Sequence, residues 1–351
     1  MSSVEATITA GGPPQRIIEC GPLEVNSFSI CFWATLMGPA GTKQVYVKIP
    51  KVIFHEKEKE NLTSFSAEDL KLAEDEYKSL SYLSRHWDGF DTNVKFVTPL
   101  GFVEEFNAII TERVMARHFF RQYRKSDLSR RLLSHVPSDL VLEGMSRLGK
   151  ALAQFHKRSQ DVVVCDTDTI LEKMQGYLLK LRNIGVDGAY LDDIARRLVG
   201  LRKVKFTSRS VVNLKGIDIR QVFLDQDNGL YLLDPGKMKD GYREVDLARF
   251  VVTCKILYWG SSAILFHLTP SAEYEKSFLT AYRQSNGISE MALGVLIVKE
   301  VLKHWIMAHT SLEKRQWPWA YKMLLNKVYV NSFYKRLLSV EMSKSEAFSE
   351  L

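Results

Sequence analysis

The sequence has few cysteines, and they do not form any familiar motif. Its 351 residues include only Cys20, Cys31, Cys165 and Cys254, with no CxxC pair among them. That spacing argues against a zinc site or a redox motif. We therefore expect buried, reduced thiols in an intracellular, cytoplasmic protein. Residues 1–15 also lack a basic stretch followed by an apolar core, so they predict a flexible tail and no secretory signal.

Long apolar runs are also missing. The most apolar stretch, residues 256–268, is interrupted by Gly260, Ser261 and Ser262. It is shorter than the ~20 residues that a membrane-spanning helix requires. We expect no transmembrane segment there but a buried helix end and a loop, and a shallow membrane contact stays open.

Acidic residues are outnumbered by basic ones. The sequence has 48 Lys and Arg against 41 Asp and Glu, a net charge of +7. This balance favours anionic partners such as nucleotides, phosphates or acidic lipid surfaces. No nucleic-acid partner is expected, because the basic residues are spread along the chain and no nucleic-acid-binding motif accompanies them.

The N-terminal part predicts three β-strands between residues 16 and 51, without a GxGxxG loop. In the third strand, Lys48 interrupts an apolar alternation over residues 45–49. A lysine that points inward needs a partner or a ligand. On the solvated face of an edge strand it would need neither, and the sequence leaves both possibilities open.

A helix is predicted to begin after Ser66, a good N-cap residue, and to run to about Arg85. Its buried face is expected to contain Leu72, Tyr77, Leu80 and Leu83. Glu74 and Glu76 both lie on this helix, and either could be the partner of Lys48.

A hairpin is predicted in the middle of the chain. Two short strand-like runs, 222–224 and 230–233, flank a polar turn in which Asn228-Gly229 supplies positive φ angles. The second run ends at Asp234, which Pro235 and Gly236 follow. A carboxylate at that position can bind a hard cation such as Mg²⁺.

This arrangement resembles the aminoglycoside phosphotransferase and choline kinase group, the small-molecule branch of the protein-kinase-like fold. Its members have an HGDxxxxN motif, a hairpin, a metal-binding Asp and a D-L-A run. The resemblance implies that Asp234 is the metal-binding Asp and that Asp246, in VDLARF, anchors a helix. It also places Gln221 at the position of the metal-binding Asn.

The catalytic motif departs from that pattern. Residues 214–216 read Leu-Lys-Gly where HGD is expected, so Gly216 stands at the position of the catalytic Asp. Asp218, two residues further on, is the candidate for the catalytic role. The sequence leaves open whether it replaces the missing residue.

The same resemblance implies roles in nucleotide binding. Lys48 would contact the phosphates and Glu76, in EYKSLSYL, would hold it in place. Glu112 and Val114 would offer backbone groups to adenine from a linker over residues 112–115. His156, in LGKALAQFHK, is expected to be a packed helix residue and not a base.

The expected fold is α+β, a bilobal protein-kinase-like fold. A flexible tail (1–15) precedes an N-lobe (16–114) with a small antiparallel sheet and one helix. A large, mainly helical C-lobe (115–351) contains the hairpin region 210–250. A basic segment over residues 117–133 predicts a solvated helix face with core aromatics, or else a surface that attracts an anionic substrate.

The resemblance implies an ATP-dependent, Mg²⁺-dependent phosphotransferase that acts on a hydroxyl group of a small molecule. Two alternatives stay open. A pseudokinase would bind nucleotide, or only keep the fold, and act as a regulatory or scaffold protein. An adenylyl transferase would use the same scaffold. The sequence does not identify the acceptor, whose binding residues the resemblance places on the late helices.

Overall fold

The computed structural model describes residues 7–8, 15–26, 29–51, 66–87, 93–123, 125, 138–157, 161–203, 206–214, 217–258, 272–313 and 317–349. The chain forms two compact units. The first comprises Met1–Gln122 and Leu214–Lys239, and the second comprises Tyr123–Asn213 and Asp240–Leu351. The predicted hairpin therefore belongs to the first unit and not, as the sequence suggested, to the helical part.

One antiparallel sheet forms most of the first unit. Its order is β1-β2-β4-β5-β8-β7, with β3 paired to β4. The strands up to residue 118 are β1 (Thr7–Ile8), β2 (Gln15–Cys20), β3 (Glu24–Asn26), β4 (Ser29–Gly38), β5 (Gly41–Pro50), β6 (Val94–Phe96), β7 (Pro99–Val103), β8 (Ala108–Glu112) and β9 (Arg117–His118). β1 pairs with β2, so the segment predicted to be a flexible tail includes a paired strand.

Alternation along β5 places its side chains on two faces of this sheet. Val45 and Val47 are buried in a core with Ala34 and Ile110. Because successive strand residues point to opposite faces, Lys48 lies on the face away from that core. This is also the face on which the helix of the first unit supplies its partner.

That helix is α1 (Ala67–Trp87). Its N-terminus is closed by a reciprocal pair: Asp69 N donates to Ser66 Oγ at 3.1 Å and Ser66 N donates to Asp69 Oδ2 at 3.0 Å. The predicted cap is thus present. The buried stripe, at alternating spacings of four and three, consists of Asp69, Ala73, Glu76, Leu80, Leu83 and Trp87. Leu72 and Tyr77, predicted to be buried, are only partly buried.

The remaining strands are β10 (Asp161–Val164), β11 (Thr207–Leu214), β12 (Val222–Leu224), β13 (Leu230–Leu232) and β14 (Met238–Tyr242). The hairpin of β12 and β13 joins a second sheet of the first unit, in the order β6-β13-β12-β9. β13 pairs in parallel with β6, and β12 pairs antiparallel with β9. These pairings explain why the hairpin belongs to the first unit.

The turn of the hairpin differs in detail from the prediction. Asn228 has a φ of +61°, but Gly229 has no positive φ. Gly229 is needed for space, because a Cβ there would lie 2.6 Å from Asp225 Oδ2. Gly229 N donates to Asp225 Oδ1 at 2.6 Å, so the turn folds around that carboxylate.

Helices form most of the second unit. They are α2 (Asp139–His156), α3 (Thr167–Asn183), α4 (Gly188–Gly200), α5 (Arg243–Tyr258), α6 (Ala272–Ser285), α7 (Glu290–Glu313), α8 (Trp319–Leu324), α9 (Asn331–Lys344) and α10 (Glu346–Ser349), with a π-helical turn over Leu325–Val330. None of the helices in the described ranges is long and apolar enough to cross a membrane. The membrane-contact prediction for 256–268 falls largely on residues 259–271, which lie outside the described part.

His156 is a packed helix residue, as its position in the sequence suggested. One ring nitrogen, Nδ1, lies 2.8 Å from Tyr282 Oη, and Nε2 lies 3.2 Å from Asp246 Oδ2. Asn213 Nδ2 donates to the same Asp246 oxygen at 3.4 Å. Asp246 therefore ties the start of α5 to α2 and β11 inside the helical unit.

Candidate functional site

Lys48 lies in a central strand. On β5 it pairs with Cys31 of β4 on one side and with Ile109 of β8 on the other. The alternative that Lys48 belongs to an edge strand is therefore wrong. Lys48 Nζ donates to Glu76 Oε1 at 2.7 Å. The lysine predicted to point inward thus has a carboxylate partner on α1.

The helix phase decides between the two candidate glutamates. Glu76 belongs to the buried stripe of α1, and its side chain is only 6% exposed. Glu74 lies on the outer side of α1 and pairs with Lys78 at 2.7 Å. Of the two, the structure therefore brings Glu76 to Lys48.

Asp234 follows β13 and meets the same lysine. Its Oδ2 lies 3.1 Å from Lys48 Nζ. Its φ of +48° lies in the left-handed region, which a non-glycine residue adopts only when its surroundings hold it there. Lys48, Glu76 and Asp234 come from a strand, a helix and a hairpin, and they meet in one cluster.

Two contacts fasten the segment after Asp234 to α1. Lys237 Nζ donates to Asp75 Oδ2 at 2.9 Å, and Met238 N donates to Ser79 Oγ at 3.3 Å. Asp75 and Ser79 flank Glu76 along α1. These contacts fix the distance between Asp234 and Glu76, and no motif in the sequence indicated them.

Two carboxylates share one ammonium group in this cluster, and the pKa values reflect it. Burial disfavours the charged form of Lys48, but Glu76 and Asp234 outweigh this effect and raise its pKa. Burial raises the pKa of Glu76 to about 7, because the charge of Asp234 adds to the burial and Lys48 only partly offsets both. When both carboxylates are ionised, the cluster carries one negative charge in excess.

This excess suits a divalent cation. Within the described ranges, no three His, Cys, Asp or Glu side chains are grouped as a complete metal site. Mg²⁺ does not need such a group, since it is usually bound by one or two carboxylates together with substrate phosphates. Asp234 fits this role best, because its side chain is 36% exposed while that of Glu76 is buried.

Asp218 has a different environment. Its side chain is 3% exposed. Its Oδ1 accepts hydrogen bonds from Arg220 N at 2.9 Å and Arg220 Nε at 2.9 Å, and its Oδ2 accepts from Arg220 Nη2. The carboxylate caps the short 3₁₀ helix Ile219–Gln221 and pairs with a guanidinium. Residues 215–216, which include the Gly216 position, lie outside the described residues.

Gln221 joins Asp218 at a small cavity. Both line a water-sized space beside the hairpin, together with Leu233 and Pro235, the two neighbours of Asp234. Leu233 N donates to Gln221 O at 2.9 Å, which holds Gln221 across from the end of β13. The structure thus places Gln221 next to the Asp234 segment.

Glu112 and Val114 lie at the end of β8 and just beyond it. Glu112 is opposite Val45 in the β5–β8 register, and its Oε1 accepts from Thr98 N at 2.8 Å. The Val114 carbonyl accepts from Ala116 N at 3.1 Å. The proposed adenine-binding role of this segment stays a prediction.

Comparison with known proteins identifies the fold. No family model and no curated protein matches the chain. A choline/ethanolamine kinase family protein from Mesorhizobium loti is similar in structure, with a TM-score of 0.55 and 11% identity over 94% of this chain and 90% of that one.

Two further solved structures are similar. Choline kinase LicA from Streptococcus pneumoniae has a TM-score of 0.53 and 12% identity over 92% of this chain and 94% of that one. The ADP-bound aminoglycoside phosphotransferase APH(2'')-Ib has a TM-score of 0.52 and 12% identity over 93% and 94%. The predicted α+β, protein-kinase-like fold is confirmed.

Proposed function

We propose that this chain is an ATP-dependent phosphotransferase that acts on a hydroxyl group of a small molecule. The observation that carries the proposal is the cluster in which Lys48 Nζ lies 2.7 Å from Glu76 and 3.1 Å from Asp234. Phosphoryl transfer depends mainly on positioning the phosphates and neutralising their charge. A lysine and an exposed carboxylate, both held in place, are suited to that task.

In this proposal Lys48 binds nucleotide phosphates and Glu76 keeps its ammonium group in position. Asp234 holds Mg²⁺, with the amide oxygen of Gln221 as a second ligand. The ion, when bound, neutralises charge on the phosphate oxygens. Backbone groups of Glu112 and Val114 contact adenine. Two of the similar proteins support a nucleotide, since LicA has been solved with AMP and APH(2'')-Ib with ADP.

Asp218 is the proposed base that would take the proton of the acceptor hydroxyl. Such a group is typically worth about 10²- to 10⁴-fold in rate. Its oxygens accept hydrogen bonds from Arg220 in this structure. The side chain of Arg220, which is 48% exposed, would therefore compete with the acceptor for the oxygens of Asp218.

That pairing favours a second candidate function. A protein that binds Mg-nucleotide at Lys48 and Asp234 but lacks an available base would be a nucleotide-dependent regulatory or scaffold protein. Both candidates share the nucleotide site and differ only in phosphoryl transfer. They can therefore be separated in two successive measurements.

The first measurement is thermal unfolding with ATP, with and without Mg²⁺. Ligand at a hundred times its dissociation constant should add about 2.7 kcal/mol of stability. We expect a Mg²⁺-dependent rise that Asp234→Ala abolishes and that Asp227→Ala, in the exposed hairpin turn, retains. No rise with any nucleotide would contradict both candidates.

The second measurement is ATP consumption with hydroxyl-bearing acceptors, beginning with choline, glucosamine and gentamicin. We expect Asp218→Asn to lower the rate by at least about 10²-fold while leaving the nucleotide-dependent rise in midpoint intact. Transfer that survives this change would remove Asp218 from the mechanism. Nucleotide binding without transfer to any acceptor would favour the regulatory function.

A further inference from the structure

One segment of the helical unit exposes an unusual amount of apolar surface. We call Trp317, Trp319, Tyr321, Met323, Leu324 and Val328 the aromatic patch. Trp319 is 75% exposed and the other five are between 38% and 51% exposed. Six of the 18 exposed large hydrophobic residues in the described ranges thus fall within twelve consecutive positions. Such a concentration marks an interaction surface.

The exposed residues follow one another closely along the segment. Trp317, Tyr321, Leu324 and Val328 are spaced by four, three and four residues, from just before α8, through α8 itself, to the π-helical turn after it. The rings of Trp317 and Tyr321 are in edge contact, with centroids 5.4 Å apart. Neither α8 nor the π-helical turn that follows it buries any residue. An apolar segment normally packs against another surface, yet these six side chains keep between 38% and 75% of their surface exposed.

Charge identifies the kind of surface that would cover the patch. The sequence from 314 to 340 contains six Lys and Arg residues and no Asp or Glu. Lys322 and Lys327 lie within the patch segment; Lys322 Nζ also donates to the Glu313 carbonyl oxygen at 2.8 Å, and Lys335 is paired with Asp187 at 3.4 Å. The nearby carboxylate of Glu313 accepts from Asn326 at 3.4 Å. Trp and Tyr next to Lys are typical of the interface between a bilayer and water.

We propose that the aromatic patch docks on the surface of an anionic lipid bilayer, with its apolar side chains inserted among the headgroups and Lys322 and Lys327 against the lipid phosphates. Nucleic acid would use the lysines and aromatic rings but not Met323, Leu324 or Val328. A purely apolar protein partner would not use the lysines. The bilayer surface matches both components, and the proposal does not depend on nucleotide binding.

The test is co-sedimentation of the full chain with vesicles of phosphatidylcholine alone and of phosphatidylcholine mixed with phosphatidylglycerol. We expect binding to the anionic vesicles that weakens as salt increases, together with a blue shift of tryptophan fluorescence. Replacing both Trp319 and Leu324 by Ser should lower the partition coefficient more than tenfold. Replacing Lys322 or Lys327 by Gln should lower it about fivefold each.

The matched control is Leu179→Ser, which removes a 61% exposed leucine from α3 of the same unit and should leave binding unchanged. An unchanged unfolding midpoint in each variant shows that the fold is retained. Failure of the wild-type chain to bind anionic vesicles would overturn the proposal. Vesicle binding by the Trp319 and Leu324 double variant that equals that of the wild type would also overturn it. A third contrary outcome is a dimer or an RNA complex that the double variant abolishes, with no binding of the wild type to vesicles.

Discussion

Glu300 provides the sharpest test of how the helical unit is stabilised. Its side chain is 4% exposed on α7, and its two oxygens lie 3.1 Å from Lys299 Nζ and 2.9 Å from Lys303 Nζ. Glu300→Gln keeps the size of the side chain and removes its charge. We expect it to lower the free energy of unfolding by about 3 kcal/mol at pH 7.

The magnitude follows from the charges around the carboxyl group. Burial alone would raise the pKa of Glu300, but Lys299 and Lys303 outweigh it and lower the pKa from 4.5 to about 2. At 1.36 kcal/mol per pKa unit, this corresponds to about 3 kcal/mol. The pKa of Lys303 is lowered as well, because burial and the repulsion of Arg249 exceed the attraction of Glu300. The cations thus outnumber their carboxylate, and without it these partly buried groups would repel one another with no counter-charge.

Urea unfolding of the wild type and the variant, measured between pH 7 and pH 2, checks this. A lowered folded-state pKa contributes stability above pH 4.5 that is lost as the pH falls towards 2. The difference between the two proteins should therefore shrink over that window. Glu290→Gln, which removes a 51% exposed partner of Arg283, should cost at most about 1 kcal/mol. Equal losses in the two variants, or a difference that does not depend on pH, would refute the reasoning.

Two other predictions concern packing and the candidate site. Gly149→Ala should lower the unfolding midpoint strongly, because the added Cβ would lie 2.2 Å from the Phe278 carbonyl oxygen. Gly176→Ala is the control: there is open space around Gly176 in α3, so this change should stabilise the protein by about 0.5–1 kcal/mol. The pKa of Glu76 is raised from 4.5 to about 7, so the folded protein holds this proton more tightly than the unfolded chain does. Without ligand, the free energy of unfolding should therefore fall by roughly 1–3 kcal/mol as the pH rises from 4.5 to 7. Glu76→Gln should remove that fall, and a fall that persists in the variant would have another source.

Local signals in the sequence were enough to predict the main parts of the site. Neighbouring residues determine three of these features: the helix cap at Ser66, the turn before Gly229 and the alternation around Lys48. Each of them is found in the structure. The resemblance of EYKSLSYL to the family helix favoured Glu76 over Glu74, and the helical phase of the residue supports the same choice. Glu76 is in helical phase with Leu80 and Leu83, which were predicted to be buried.

Long-range pairing could not be predicted in the same way. The parallel contact of β6 with β13 joins residues more than 130 positions apart, and nothing local specifies it. Because of that pairing, the hairpin and Asp234 belong to the first unit. The ties from Lys237 and Met238 to α1 are likewise visible only once these elements are brought together.

The residues proposed for nucleotide binding and the residue proposed for transfer are held in place in different ways. A sheet, a helix and a hairpin position Lys48, Glu76 and Asp234, so the cluster proposed to bind phosphates and a cation is held by long-range contacts. Asp218 depends instead on a local pair with Arg220, two residues away in a 3₁₀ turn. The guanidinium bonds to both oxygens, so an acceptor hydroxyl would have to compete with it for the remaining lone pairs. In the proposed function, nucleotide binding would therefore need little rearrangement, whereas transfer would need the acceptor to compete with Arg220 for Asp218.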